Sequence, residues 1–258
     1  MSRLVVLGSG TVIPEGDRGG SCHYVEMGDV RALLDCGPGA VQALARHGVP
    51  WPNLTHLVLT HFHGDHVGAL PGLFFALKHG IHPGPRDRPL EVLGPPGTRD
   101  LFRGLAEALG AYLLDPGFPV EIREGAPGRD VELGARVRLS TRGTPHTDES
   151  RALRLDGPGT SVGYTGDTGR DPGLGDFMEG VEILLCECSL TDDEVGENHL
   201  SPSGVAEIAS RARPDLLLLT HVYPHVRRAH DVPALVAAAG WEGRTELAAD
   251  GDVHPLGA

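Results

Sequence analysis

The chain alternates short apolar runs with Gly, Pro and charged residues, a rhythm that predicts many short strands and a few helices. Residues 3–7 read as a first strand, and 23–27 and 31–35 as a pair around the Gly28-Asp29 turn. Residues 39–47 predict a short helix with Val41, Leu44 and Ala45 on one face. A strand over 56–60 follows, then a Gly-containing turn and a helix to about Lys78. Residues 90–93 predict a strand. Residues 98–111 predict a helix whose Leu101, Phe102, Leu105, Ala108 and Leu109 form a core stripe. The stretch 118–142 alternates and is broken by Gly and Pro, as consecutive strands would be. Gly157-Pro158-Gly159 lies between strands at 151–155 and 161–165, in the manner of a hairpin. Residues 181–186 and the four leucines 216–219 read as buried strands. Between them Ser201-Pro202 opens a helix, with Ser as N-cap and Pro at the first helical position. Two apolar strands end alike, in Thr60-His61 and Thr220-His221, which suits a duplicated sandwich whose halves deliver side chains to one cleft.

Length and charge narrow this picture. The 258 residues suit one α/β domain with a sizeable core, and no linker divides them, so a single domain over 1–258 is expected. The 37 glycines and 21 prolines supply the turns that many short strands need. A formal net charge of −13, with Lys78 the only lysine, repels phosphate backbones and argues against extended nucleic-acid partners. The adjacent Arg227 and Arg228 are left as a candidate basic patch. Residues 1–10 read as a strand and turn rather than a signal peptide, and no apolar stretch reaches membrane-spanning length. Cys22, Cys36, Cys186 and Cys188 have no zinc-ribbon spacing. Reduced, buried thiols in a cytoplasmic protein are expected, with a Cys22–Cys36 bridge as the alternative.

The chemistry concentrates in His61-Phe62-His63-Gly64-Asp65-His66, straight after the apolar run 57–59. In open α/β sheets, function collects at the carboxyl ends of strands. His61 and His63 project to one side in extended chain, while Asp65 and His66 fall where the chain turns into a helix. Imidazoles with a carboxylate suit zinc or another borderline first-row metal, not calcium or magnesium. His146, Asp167 and His221 also sit in strand-end loops, where a sandwich would bring them to the cluster. His47, His56, His79, His82, His225, His230 and His254 are expected to be surface or structural. Gly8-Ser9-Gly10 reads as a tight turn, for it lacks a G-x-G-x-x-G pattern and a Walker lysine.

The H-x-H-x-D-H pattern resembles the signature of the metallo-β-lactamase superfamily. Its continuation through Gly68, Leu70, Pro71, Gly72 and Leu73 is similar to the tRNA 3′-end processing branch (tRNase Z) and its phosphodiesterase relatives. The resemblance implies an α/β fold: a four-layer αββα sandwich of two mixed β-sheets with helices on the outer faces. It also implies two zinc ions, with manganese or iron as alternatives. One would take His61, His63 and His146, the other Asp65, His66 and His221, with Asp167 bridging. Glu187 resembles the Glu of the branch's His-Glu-Ala-Thr motif, although Cys186 stands in place of its His. His199-Leu200-Ser201 resembles its His-Ser-Thr motif. Such a pair places His199 near the leaving oxygen, the bland alternative being a hydrogen bond that ties down a loop.

Two departures point away from pre-tRNA. The tRNA-gripping arm that this branch typically carries between the ligands corresponding to His146 and Asp167 has no room here. The P-x-K-x-R-N stretch is reduced to Pro14-Glu15-Gly16-Asp17-Arg18-Gly19, which keeps Pro and Arg but loses Lys and Asn. The expected function is therefore a dinuclear metal-dependent hydrolase of small or cyclic phosphodiesters, with Asp65, Glu187 and His199 as catalytic residues beside the metals. The alternatives are a lactone or thioester hydrolase using the same site, a tRNA 3′-end endonuclease without its arm, and a non-catalytic metal-binding module. Relatives of this branch often pair, so a homodimer is the assembly that the resemblance implies.

Overall fold

The computed structural model describes residues 2–80 and 86–257, so His82 lies outside the described residues. In chain order the first strands are β1 (Ser2–Gly8), β2 (Cys22–Met27), β3 (Val30–Leu34), β4 (His56–Val58), β5 (Leu90–Gly94) and β6 (Val120–Glu124). Next come β7 (Val131–Leu133), β8 (Val137–Gly143), β9 (Arg151–Gly157) and β10 (Thr160–Tyr164). The last are β11 (Ile183–Glu187), β12 (Leu216–Thr220), β13 (Thr245–Leu247) and β14 (Val253–Leu256). They form two seven-stranded sheets, ordered β14-β1-β2-β3-β4-β5-β6 and β13-β12-β11-β10-β9-β8-β7. Each sheet is antiparallel on one side and parallel on the other: β3 to β6 run parallel in the first, β10 to β13 in the second.

Strand alternation sorts the apolar residues into layers. Val5, Tyr24, Leu33 and Leu57 face an outer cluster built with the helices α1 (Ala40–Arg46), α2 (Gly64–Val67), α3 (Leu70–His79) and α4 (Thr98–Leu109). Leu4, Val6, Val25, Leu34 and Val58 meet Leu139, Leu153, Leu155, Leu216 and Leu218 between the sheets. Leu217 and Leu219 face the other way, toward α5 (Gly173–Phe177), α6 (Pro202–Ala212), α7 (Pro224–Ala229) and α8 (Val232–Ala238). The run of four leucines is thus a strand buried on two faces, as parallel strands are. The result is the expected four-layer αββα arrangement.

Several local expectations shift. The helix after the histidine cluster is two helices, α2 and α3. Helix α1 buries Ala40, Ala43 and Leu44, while Ala45 is exposed, so its apolar face lies earlier in the turn than expected. Helix α4 packs Leu101, Phe102, Leu105 and Ala106 inward, whereas Ala108 and Leu109 face solvent near its end. Ser201 is the N-cap of α6 with Pro202 in the first turn, but its side chain makes no cap bond. The 157–160 turn does join β9 and β10 as a hairpin, with Gly159 at φ 70°. All four cysteines are free and buried, so Cys22 and Cys36 are not bridged. His56 is a buried structural residue, its Nδ1 against the Thr55 hydroxyl. Among the described residues no helix is long and apolar enough to cross a membrane.

Phe74 anchors the first outer layer, fully buried with its ring 5.2 Å from that of Phe102 in an edge-on arrangement. Phe74→Ala should lower the free energy of unfolding by about 3–5 kcal/mol in urea titrations. Exposed Val12→Ala should stay within about 0.5 kcal/mol.

Candidate metal centre

The parallel halves of the two sheets turn their carboxyl ends to one edge of the sandwich. There β4 leads into His61 and His63, α2 carries Asp65 and His66, and the β8–β9 loop carries His146. The segments following β10, β11 and β12 carry Asp167, Ser189 and His221. Coordinating atoms of His61, His63, His146 and Asp167 lie within 4.8 Å of one another, and the same holds for Asp65, His66 and His221. The seven residues named from sequence are therefore brought together, across both sheets. Asp167 stands between the groups: its carboxylate oxygens lie 3.2 Å from His66 Nε2, 3.5 Å from His221 Nε2, 3.7 Å from His146 Nε2 and 3.9 Å from His61 Nε2.

Four of the imidazoles point Nε2 inward and hold Nδ1 outward. The outer partners are the Thr60 hydroxyl for His61 (3.0 Å), Asp35 for His66 (2.8 Å), the Asn198 carbonyl for His146 (2.8 Å) and the Ser189 hydroxyl for His221 (3.0 Å). Bonds of this kind fix ring orientation and leave the inner nitrogen as a lone-pair donor. His63, the exposed member, turns Nδ1 inward, 3.0 Å from His146 Nε2.

The inner atoms are poorly satisfied by each other. His61 Nε2, His66 Nε2 and Asp167 Oδ1 are buried without a hydrogen-bond partner among the described residues. Burial, then the His66 charge, drives the His61 pKa down to about 2, and burial lowers His63 as well. At His66 burial opposes the charge, but Asp167 and Asp35 outweigh it and raise the pKa well above the ordinary imidazole value. Burial likewise works against Asp65 and Asp167, yet the surrounding histidines hold Asp65 at about 2 and Asp167 well below the usual carboxylate range. Crowded imidazole nitrogens, incompletely satisfied by one another and set beside two carboxylates, form a donor set that fits a cation of borderline softness.

Against this cluster lies the Glu187–His199 pair. Glu187 is fully buried and accepts from Thr168 N (2.7 Å), Leu200 N (3.1 Å) and Ser189 Oγ (2.6 Å). His199 Nδ1 sits 3.0 Å from its Oε1. Burial disfavours the imidazolium, but the Glu187 bond and charge prevail and raise the His199 pKa. The His199 ring stacks on His221 with centroids 5.7 Å apart.

Two residues in this assembly carry no sequence signal of their own. Asp35 follows β3 in a left-handed conformation (φ 56°) and is fully buried. It accepts from Thr60 N and Thr60 Oγ1 (2.8 Å each), His66 Nδ1 (2.8 Å) and Tyr164 Oη (3.0 Å). Ser189 touches Glu187, His199 and His221 at once. His23, absent from the expected list, is buried against Tyr164, and burial followed by His66 and His221 lowers its pKa to about 3. The adjacent Arg227 and Arg228 are not a free basic patch, for both pair with Glu15, whose side chain is buried (2.6 and 2.9 Å).

A family model described as a β-lactamase superfamily domain matches residues 30–222. The chain belongs to that superfamily. It is a hydrolase of the metallo-β-lactamase fold. Over 274 aligned residues it is 30% identical to Ribonuclease Z of Mycobacterium avium, covering 97% of this chain and 96% of that protein. In fold it is similar to YhfI of Bacillus subtilis (TM-score 0.84, 22% identity, 99% and 100% of the two chains). It is also similar to the short form of human tRNase Z (TM-score 0.79, 21% identity, 98% and 99%).

Of the His61, His66, His146 and His221 rings, only His66 has a carboxylate, that of Asp35, on its outer nitrogen among the described residues. Asp35→Asn should weaken metal retention about 10–100-fold, read by metal analysis after dialysis against a graded chelator series.

Proposed function

We propose that this hydrolase cleaves small or cyclic phosphodiesters at a dinuclear centre held by the seven clustered residues, zinc being the metal that best suits their donors. His61, His63 and His146 would hold one ion, Asp65, His66 and His221 the other, with Asp167 between them. The observation that carries the reading is the inward convergence of these donors beside the hydrogen-bonded pair Glu187 and His199. When bound, such a pair of cations supplies Lewis acidity toward the phosphate oxygens and lowers the pKa of water from about 15.7 to about 7.

The protein's own groups do the remaining work. Asp65 orients the attacking water. His199, its pKa raised against burial by the Glu187 bond and charge, donates a proton to the departing alkoxide, a contribution typically worth about 10²–10⁴-fold. Ser189 holds Glu187 and His221 in register. A cleft of about 570 Å³ opens against Asp65, walled by the 11–20 loop, Pro38, Gln42 and Arg46. That volume lies within the ordinary range for small-molecule sites. Val12 and Ile13 offer it exposed apolar surface. Size, net charge and the short interval between His146 and Asp167 favour a compact substrate over tRNA. The full-length likeness to a mycobacterial Ribonuclease Z favours a second reading, cleavage of an RNA 3′ end.

Asp167→Ala should lose bound metal and turnover together, whereas His199→Ala should keep its metal and lose about 10²–10⁴-fold in kcat. Unchanged kcat in the second variant would remove His199 from the reaction. Bis-(p-nitrophenyl) phosphate, a cyclic nucleotide, a lactone, a thioester and a 3′-extended tRNA should be assayed side by side. Selective turnover of the carbonyl compounds, or of the tRNA alone, would overturn the small-diester reading.

A further inference from the structure

Beside the metal centre, and sharing none of its cluster residues, a cavity of about 510 Å³ opens into the layer between the sheets. Its walls are partly apolar, including Val58, Leu59, Leu93 and Leu139, and they carry three arginines, Arg123, Arg129 and Arg151. Arg151 is the anomaly. It opens β9 on the same face as Leu153 and Leu155, so its side chain enters an otherwise apolar layer, and only 3% of the residue is exposed. Its Nε and Nη2 are enclosed with no hydrogen-bond partner among the described residues. Among the described residues no carboxylate pairs with it, and burial lowers its pKa to about 10.

The acids of the same wall are engaged elsewhere. Glu124 accepts from the backbone of Gly97 and Arg99, and Asp130 from the Ser140 hydroxyl, with Arg138 3.6 Å away. Arg123 pairs with Glu91, leaving Arg129 and Arg151 without carboxylates among the described residues. A buried guanidinium is tolerated where an anion meets it, and its planar fork matches carboxylate and phosphate oxygens.

We propose that this cavity is a binding site for a small organic oxyanion, a phosphate monoester or a carboxylate, which Arg151 grips at the inner end and Arg129 meets at the mouth. The apolar wall accommodates the carbon part of the ligand. The site is distinct from the metal centre but adjoins it through the chain, since Leu59 lies two residues before His61 and Arg151 five after His146.

The metal-loaded protein should be titrated calorimetrically with inorganic phosphate, ribose 5-phosphate and succinate, as wild type, Arg151→Gln and Arg151→Lys. Phosphate can also reach the metal centre, so the informative quantity is the part of the binding that depends on Arg151. A saturable event weakened at least tenfold in Arg151→Gln and partly kept in Arg151→Lys is expected, with bis-(p-nitrophenyl) phosphate turnover within twofold of wild type. Response to the phosphates alone or to succinate alone would support the site and name its ligand class. Identical isotherms in all three proteins would overturn it, and so would loss of diester turnover in parallel with binding, since Arg151 would then belong to the catalytic cleft. If the variants fail to fold, wild-type crystals soaked in ribose 5-phosphate and in succinate decide instead. Density against the Arg151 guanidinium from either soak supports the site, and its absence from both refutes it.

Discussion

The buried Asp35 carboxylate is the constraint on which the site's geometry depends. It receives four hydrogen bonds from three parts of the chain: Thr60 just after β4, His66 in α2, and Tyr164 at the end of β10. Tyr164 belongs to the opposite sheet, so this one side chain ties the layers together where the clustered histidines and aspartates converge. A charged acceptor in a dry interior is costly unless its lone pairs are filled, and here they are. Backbone bonds reinforce the joint, with Asp35 N donating to Val58 O (2.9 Å) and Cys36 N to His66 O (2.7 Å). The left-handed backbone at Asp35 costs roughly 1–3 kcal/mol and persists because these neighbours over-determine it.

His221 plays the corresponding part on the second sheet. It too is left-handed, at φ 55°, with its backbone N donating to Ser9 O across to the first sheet's opening loop (3.2 Å). That loop is held by Asp250, which accepts from Ser9 N (2.8 Å) and Gly19 N (2.7 Å). Close approach of backbones around Asp65 requires glycine. A methyl group at Gly37 would fall 2.1 Å from the Asp65 carbonyl oxygen, and one at Gly20 2.6 Å from it. The position of the α2 carboxylate is therefore set by backbone contact as well as by hydrogen bonding.

What could be read in advance follows from how each feature is encoded. The 61–66 cluster is contiguous and chemically improbable as an ordinary loop, and the apolar strands ending in Thr60-His61 and Thr220-His221 mark where candidate metal-binding residues emerge. Both the αββα layering and the convergence of seven dispersed residues were legible on that basis, through the motif's resemblance. Asp35 and Ser189 were not, because an Asp ending a strand and a Ser after one are common, and their weight lies in partners far along the chain. Arg151 reads only as part of a strand, since nothing local says that no carboxylate will meet it. Ala45 and Leu109 failed for a different reason. Periodicity gives the angle of an apolar stripe but not where the neighbouring layer stops covering it.

Charge distribution sets what can approach this edge. The chain carries −13 overall, and three arginines of the cleft region are already committed: Arg227 and Arg228 to Glu15, Arg18 to the Ser9 hydroxyl and the Ala248 carbonyl. Those contacts brace the 11–20 loop instead of offering a basic track along which a polyanion could lie. A long nucleic acid gains affinity by summing many phosphate contacts over such a track. A compact anion needs only one strongly positive point, reached over a distance short beside the roughly 8 Å screening length of physiological salt. An acidic surface whose cleft arginines are largely engaged therefore favours a small anion over a long one.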